Sequence, residues 1–219
     1  MGPGFLPRAW WPRRHKTDPE APQRWVVIDC ETSGLDPEQD ELLAIGGVAV
    51  RVEGARAEIK PADGFEVLVR PERTSDDDNV LIHGIGRAAQ QGGQVPTLAL
   101  TEFVAWVDGA PLAAFHAPFD RWFIQRACTR AKVQAPPARQ WLDLALLAPA
   151  LWPERRARSL DEWLAGFELP AHARHSATGD ALVTAMLMTL MLPAARRQGA
   201  RGFDGLKRAA DAARWIGRP

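Results

Sequence analysis

The sequence predicts a mixed α/β domain, and three observations carry that expectation. Three strand-like stretches on short connections come first, within residues 24–71. A stretch with apolar residues at helical spacing follows at 97–109. Short buried-strand signals then alternate with helical ones to about residue 194. Strands on short connections pair antiparallel, whereas strands separated by helices return parallel to the first, so the expected sheet is mixed.

Taken in order, residues 1–23 are rich in Pro and Arg, carry Trp10 and Trp11, and read as a basic leader with little structure of its own. The first strand is expected from Arg24 to Cys30, led by Trp25, Val26, Val27 and Ile28. "SGLDPEQD" is turn chemistry, with Gly34, Asp36 and Pro37 close together. "ELLAIGGVAVRV" and "GFEVLVRP" give the second and third strands, with residues 53–63 as their connection. "TLALTEFVAWVDG" is a helix ending at Gly109, and "APLAAFHA" a short buried strand. "PFDRWFIQRACTRA" follows as a helix with Pro118 near its start. "QWLDLALLAPALW" runs from strand to helix, and "SLDEWLAGF" carries a capping box, Ser159 with Glu162. "GDALVTAMLMTLMLPAA" is a long apolar helix. The expected organisation is a leader at 1–23, one domain at 24–194 and a basic, partly helical tail at 195–219.

The totals exclude several classes. A hydrophobic share of 46% with 25% charged residues is ordinary for a globular protein. No run of about 18 apolar residues occurs, so no membrane span is expected. The basic N-terminus has Pro and paired Trp where a signal peptide needs an apolar core. The two cysteines, Cys30 and Cys128, make no disulfide framework, and the cytoplasm is the expected compartment. The net charge of +0 is unevenly spread: residues 1–24 sum to +3, residues 195–219 to +5, and the middle to −8. Basic ends on an acidic body suit a cation-binding cleft with a polyanionic partner, and equally suit plain soluble ends.

Three places bear carboxylates in positions that ask for chemistry. Asp29 and Glu31 alternate with Cys30, so both acids share one face of the first strand. Like charges about 4 Å apart cost roughly 4 kcal/mol at an effective dielectric near 20, unless a cation compensates. A D-x-E pair alone is as readily the start of a turn. Asp120 lies just inside a helix after a buried strand, a place where α/β sites form and where helix dipoles also attract acids. Asp180 opens the long apolar helix, with His175 five positions before it on the preceding loop. A histidine there suits proton abstraction near neutral pH, although His172 beside it shows that a loop histidine need have no such role.

Together and in this order, Asp29-x-Glu31, Asp120 after "FHAPF", and His175 before Asp180 resemble the DEDDh (DnaQ-like) 3′–5′ exonucleases, the family of the proofreading epsilon subunit of DNA polymerase III. The resemblance runs from about residue 24 to 194 and takes in "IHGI", "LDLALLAPALWP" and "RHSATGDALVTA". It implies a ribonuclease H-like fold, a five-stranded mixed sheet flanked by helices. It implies two divalent ions, Mg²⁺ or Mn²⁺, with Asp29, Glu31, Asp120 and Asp180 as ligands and His175 as general base toward the attacking water. Thr32 would offer backbone hydrogen bonds to the terminal nucleotide, Leu35 an apolar wedge, and His83 a packing contact. The implied reaction releases nucleoside 5′-monophosphates from the 3′ end of single-stranded nucleic acid, with DNA favoured over RNA. The implied partners are such 3′ ends, with a polymerase or another replication or repair protein left open. One departure stands out: the family commonly has His-Asn before the third acid, and here His116 is followed by Ala117. The competing reading is a nuclease-like module that binds nucleic acid or a polymerase without cutting; keeping all five catalytic positions argues against it.

Overall fold

A computed structural model describes residues 21–74, 84–170 and 176–216, with side chains described to residue 213. The sheet has five strands: β1 (Gln23–Thr32), β2 (Leu42–Glu53), β3 (Arg56–Leu68), β4 (Leu112–Ala114) and β5 (Trp141–Asp143). Their order is β3-β2-β1-β4-β5. The first three pair antiparallel, and β4 and β5 run parallel to β1 and to each other. The mixed sheet expected from the connections is therefore present.

The helices are α1 (Arg87–Gly92), α2 (Pro96–Val107), α3 (Ala117–Ala131), α4 (Leu144–Leu151), α5 (Leu160–Gly166), α6 (Ala177–Arg197) and α7 (Gly202–Ile216). Two apolar clusters sandwich the sheet. Trp25 and Val27 of β1 face Leu144 and Leu147 of α4, Trp163 of α5 and Met188 of α6. Val26, Ile28 and Cys30 face the other way, onto Phe103 and Trp106 of α2 and Phe123 of α3. That alternation is why β1 reads as an almost unbroken apolar run: in the centre of the sheet both faces are covered. By length and composition alone α6 could cross a membrane, but 61% of its apolar window is buried, the setting of a core helix.

Some boundaries differ from the sequence reading. β1 extends to Thr32, two residues past the expected end at Cys30, so Glu31 lies within the strand. The third strand starts at Arg56, and residues 53–63 are not a loop: a tight turn at Gly54, φ 58°, joins β2 to β3 directly. β3 is an edge strand whose side chains, Val67 apart, are exposed or half-buried, so it carries little hydrophobic signal. Its pairing jumps from Gly64 to Lys60 opposite Val48 and Ala49, and Pro61 sits in that irregularity, where no ladder donor is needed. The same irregularity aims Asp63 inward. It takes two hydrogen bonds from Arg24, at 2.8 and 2.9 Å, and one from Trp106 Nε1 at 2.9 Å. The six-residue α1 had no distinct signal in "RAAQQG".

Candidate active site

The site forms where β1 ends. Ligand atoms of Asp29, Glu31 and Asp180 lie within 4.8 Å of one another. The first two come from one face of β1, as their spacing required. Asp180 comes from the first turn of α6, which Ser176 caps by accepting the Gly179 N–H at 3.2 Å.

Gly46 lets that turn approach. It pairs with Asp29 across β1 and β2, and a Cβ at Gly46 would fall 2.2 Å from the α6 backbone at Ala177 and Thr178. Only a glycine admits the helix so close to the strand that carries the acids. Thr178 Oγ1 is also buried at this contact without a hydrogen-bond partner.

Asp120 does not join the group of three. It lies in the first turn of α3, 3% exposed, and accepts hydrogen bonds from the Cys30 thiol and the Cys30 backbone. Burial pushes its carboxyl up to about 8, with neighbouring Asp143 adding to the shift. Cys30 does point to the buried face opposite Asp29 and Glu31, as alternation dictates, and from there it ties Asp120 to the acid-bearing strand. Burial and the surrounding carboxylates push the Cys30 thiol well up.

The turn between β4 and α3 is set by two residues. His116 is left-handed, at φ 65° and ψ 46°, and exposed, while Ala117 is the buried first residue of α3. The special backbone position is thus His116, a residue type that tolerates this region better than most. Ala117 packs in the apolar cluster, so an Asn there would bury an amide. Asp143, at the end of β5, accepts N–H groups from His116, Ala117 and Ala145 and so fastens the start of α3 to the sheet; burial raises its pKa. Asp143 lay in the quoted "LDLALL" without being singled out as a site residue, and its strand-end position was the available signal. Gly46 likewise lay unremarked in "AIGGVAV".

Of the substrate positions, Thr32 ends β1 and donates its hydroxyl to the Gly34 carbonyl at 2.7 Å. Leu35 stands 84% exposed in the loop that follows. His83 and the proposed base His175 lie outside the described residues.

An all-oxygen donor set of clustered carboxylates fits a hard divalent cation, and the described residues bring no Cys or His into the group. Asp29, Glu31 and Asp180 would hold it.

The comparisons with known proteins agree with this geometry. The sequence profile of the RNase_T family, described as exonuclease, matches residues 26–188. A DNA polymerase III subunit epsilon-like protein of Rhodobacter capsulatus is 32% identical over 186 residues, covering 83% of this chain and 25% of that protein. The chain thus spans about a quarter of this relative. A DNA polymerase III subunit epsilon of Treponema pallidum is 28% identical over 170 residues, covering 77% of this chain and 76% of its own. The nuclease domain of 3′hExo, a DEDDh family member bound to rAMP, superposes with a TM-score of 0.67 at 20% identity, covering 78% of this chain and 92% of that one. The profile match over most of the chain, on a ribonuclease H-like sheet with its acids gathered at the end of β1, makes this chain a DnaQ-like member of the exonuclease family.

Proposed function

We propose that the chain is a metal-dependent 3′–5′ exonuclease on single-stranded nucleic acid, DNA favoured, that releases nucleoside 5′-monophosphates. The observation that carries this reading is the gathering of Asp29, Glu31 and Asp180 within 4.8 Å in a chain of the exonuclease family. Like charges packed so closely oppose folding unless a cation answers them. Bound Mg²⁺ or Mn²⁺ ions, two in this reading, supply charge neutralisation for the attacking and leaving oxygens of phosphodiester cleavage.

The chain's own residues supply the rest. Asp29, Glu31 and Asp180 are fixed by a central strand and a capped helix, so they keep their positions as charge develops. Asp120 stands outside that group of three, hydrogen-bonded to Cys30, and in this reading is the fourth acid, contributed from the α3 side. His175, five residues before Asp180, takes the proton from the attacking water. Exposed Leu35 meets the terminal base, a contact blind to base identity. The names of the polymerase III relatives support DNA as the first substrate to try and a polymerase as a partner to look for.

A 5′-labelled single-stranded oligonucleotide tests the reading, in Mg²⁺, in Mn²⁺ and in chelator, as DNA and as RNA. Stepwise shortening from the 3′ end is expected with metal. Asp29→Ala should abolish it, and His175→Ala should slow it by about 100-fold or more. Metal-dependent binding without shortening would instead mean a non-cutting module.

A further inference from the structure

The main chain of the loop that carries Leu35 is held from outside by Arg126 of α3. Within the loop, Ser33 and Glu41 close the base: Ser33 N–H donates to Glu41 O at 2.9 Å, and Glu41 N–H to Ser33 Oγ at 2.8 Å. The Asp40 carboxylate fills the interior, accepting from Ser33 Oγ at 3.1 Å and from Asp36 N–H at 2.8 Å. It sits so close to Gly34 that a Cβ there would fall 2.4 Å from it. Residues 36–40 form a single turn closed on the Asp36 carbonyl, which accepts from Gln39 N–H at 3.1 Å and Asp40 N–H at 2.8 Å, while the carbonyls of Pro37, Glu38 and Asp40 meet another element. Arg126 of α3 collects them: its guanidinium donates to the carbonyls of Pro37, of Asp40 at 2.6 Å and of Glu38 at 2.5 Å. One turn further along α3, Arg130 reaches Glu41 at 3.2 Å. These three Arg126 hydrogen bonds all go to main chain 86 to 89 residues away.

We infer that Arg126 is the positioning residue for substrate binding: by gathering three carbonyls of the Pro37–Asp40 turn onto α3, it orders the loop that carries Leu35 and so readies that side chain for the 3′-terminal base. This rests on the exonuclease reading. A guanidinium suits the task because its donors are planar and fixed in a fork, so it sets an orientation as well as a distance. Leu35 has almost no packing of its own, and its place depends on the loop beneath it. On the exonuclease reading a ligand covers this exposed side chain, and pre-ordering its loop lowers the entropy lost on binding. The α3 helix thereby sets two things at once, Asp120 from its first turn and the Leu35 loop from its third.

Arg126→Ala and Arg126→Lys, read on the single-stranded oligonucleotide, test this. Arg126→Ala should raise KM about tenfold while kcat stays within about twofold, the signature of lost uniform binding. Arg126→Lys should recover part of that KM. In a Leu35→Ala background the Arg126→Ala change should shrink to about twofold, since the two act through one contact. Amide hydrogen exchange at 33–41 should quicken about tenfold in Arg126→Ala and needs no substrate. If the alanine variant does not fold, Arg126→Gln takes its place in each measurement. An unchanged KM, a KM effect undiminished by Leu35→Ala, no recovery with lysine, or unaltered exchange each overturns the proposal. Failure of the wild-type protein to shorten any oligonucleotide overturns the exonuclease reading instead, and exchange still reports on the clamp.

Discussion

At the scale of single residues, the site depends on groups whose burial changes their chemistry. The Asp120 carboxyl is pushed up to about 8 by burial in the folded chain. Unfolded, it titrates near 3.9 (roughly) like any aspartate. Between those values the folded state holds a proton that the unfolded state has released, so stability falls as pH rises through that window. Urea unfolding of the chelator-treated protein from pH 4 to 8 should show that fall, and Asp120→Asn should make it shallower. Cys128 is likewise raised, to about 11, by burial, and Cys30 is raised well above its ordinary value. Both thiols should resist a thiol reagent at pH 8 in the native protein and react once it is unfolded; a rapidly labelled native thiol would contradict that. Gly46 has the opposite character, an absence of atoms that the structure requires. Gly46→Ala should push the α6 turn off β2, cost about 1–3 kcal/mol of stability and lower activity roughly 100-fold, measured by thermal unfolding and oligonucleotide shortening.

At the scale of elements, the sequence was legible where periodicity and charge coincide and silent where contacts are long-range. β1 announced itself by four apolar residues in a row, and strand alternation correctly put Asp29 and Glu31 on one face. The Ser159–Glu162 capping box is present as read. β3 was misjudged at its start because an edge strand needs no apolar face, and "ARAEIKPADG" resembles a loop in composition. The Arg126 clamp was invisible for another reason: its partners are main-chain carbonyls, which leave no trace in residue types. The Asp120–Cys30 bond also joins elements about 90 residues apart in sequence, beyond any local pattern. Asp143 shows how such ties can be tested. It anchors the start of α3 through the N–H groups of His116 and Ala117 and caps α4 through that of Ala145, and α3 carries Asp120. Asp143→Ala should cost about 1–3 kcal/mol in urea unfolding, because those donors lose their acceptor. Activity should fall with it, and wild-type stability in this variant would show the anchor to be unnecessary.

At the scale of the whole molecule, the uneven charge read from the sequence acquires a structural counterpart. The C-terminal segment, expected as a basic, partly helical tail, contains α7, and α7 is built into the fold. Phe203 meets Trp25 edge-on at 5.3 Å, and Leu206 and Ala210 are buried in the cluster shared by α4, α5 and α6. Lys207 donates to the carbonyls of Ala138 at 3.2 Å and Trp141 at 3.1 Å, at the entry to β5. One face of α7 therefore stabilises the sheet, while Arg201 and Arg208 remain exposed. The two roles separate cleanly by mutation. Truncation after residue 201 uncovers Trp25 and removes a buried leucine, so it should cost more than about 3 kcal/mol in thermal unfolding. Replacing Arg201 and Arg208 together by Gln leaves that packing intact and should change stability by no more than about 0.5 kcal/mol. If the basic end draws in a polyanion, the same pair should weaken oligonucleotide binding at low salt and lose its effect as salt rises, because exposed charges are screened beyond about 8–10 Å. Equal binding of the Gln pair and the wild type at low salt would leave α7 a purely structural helix.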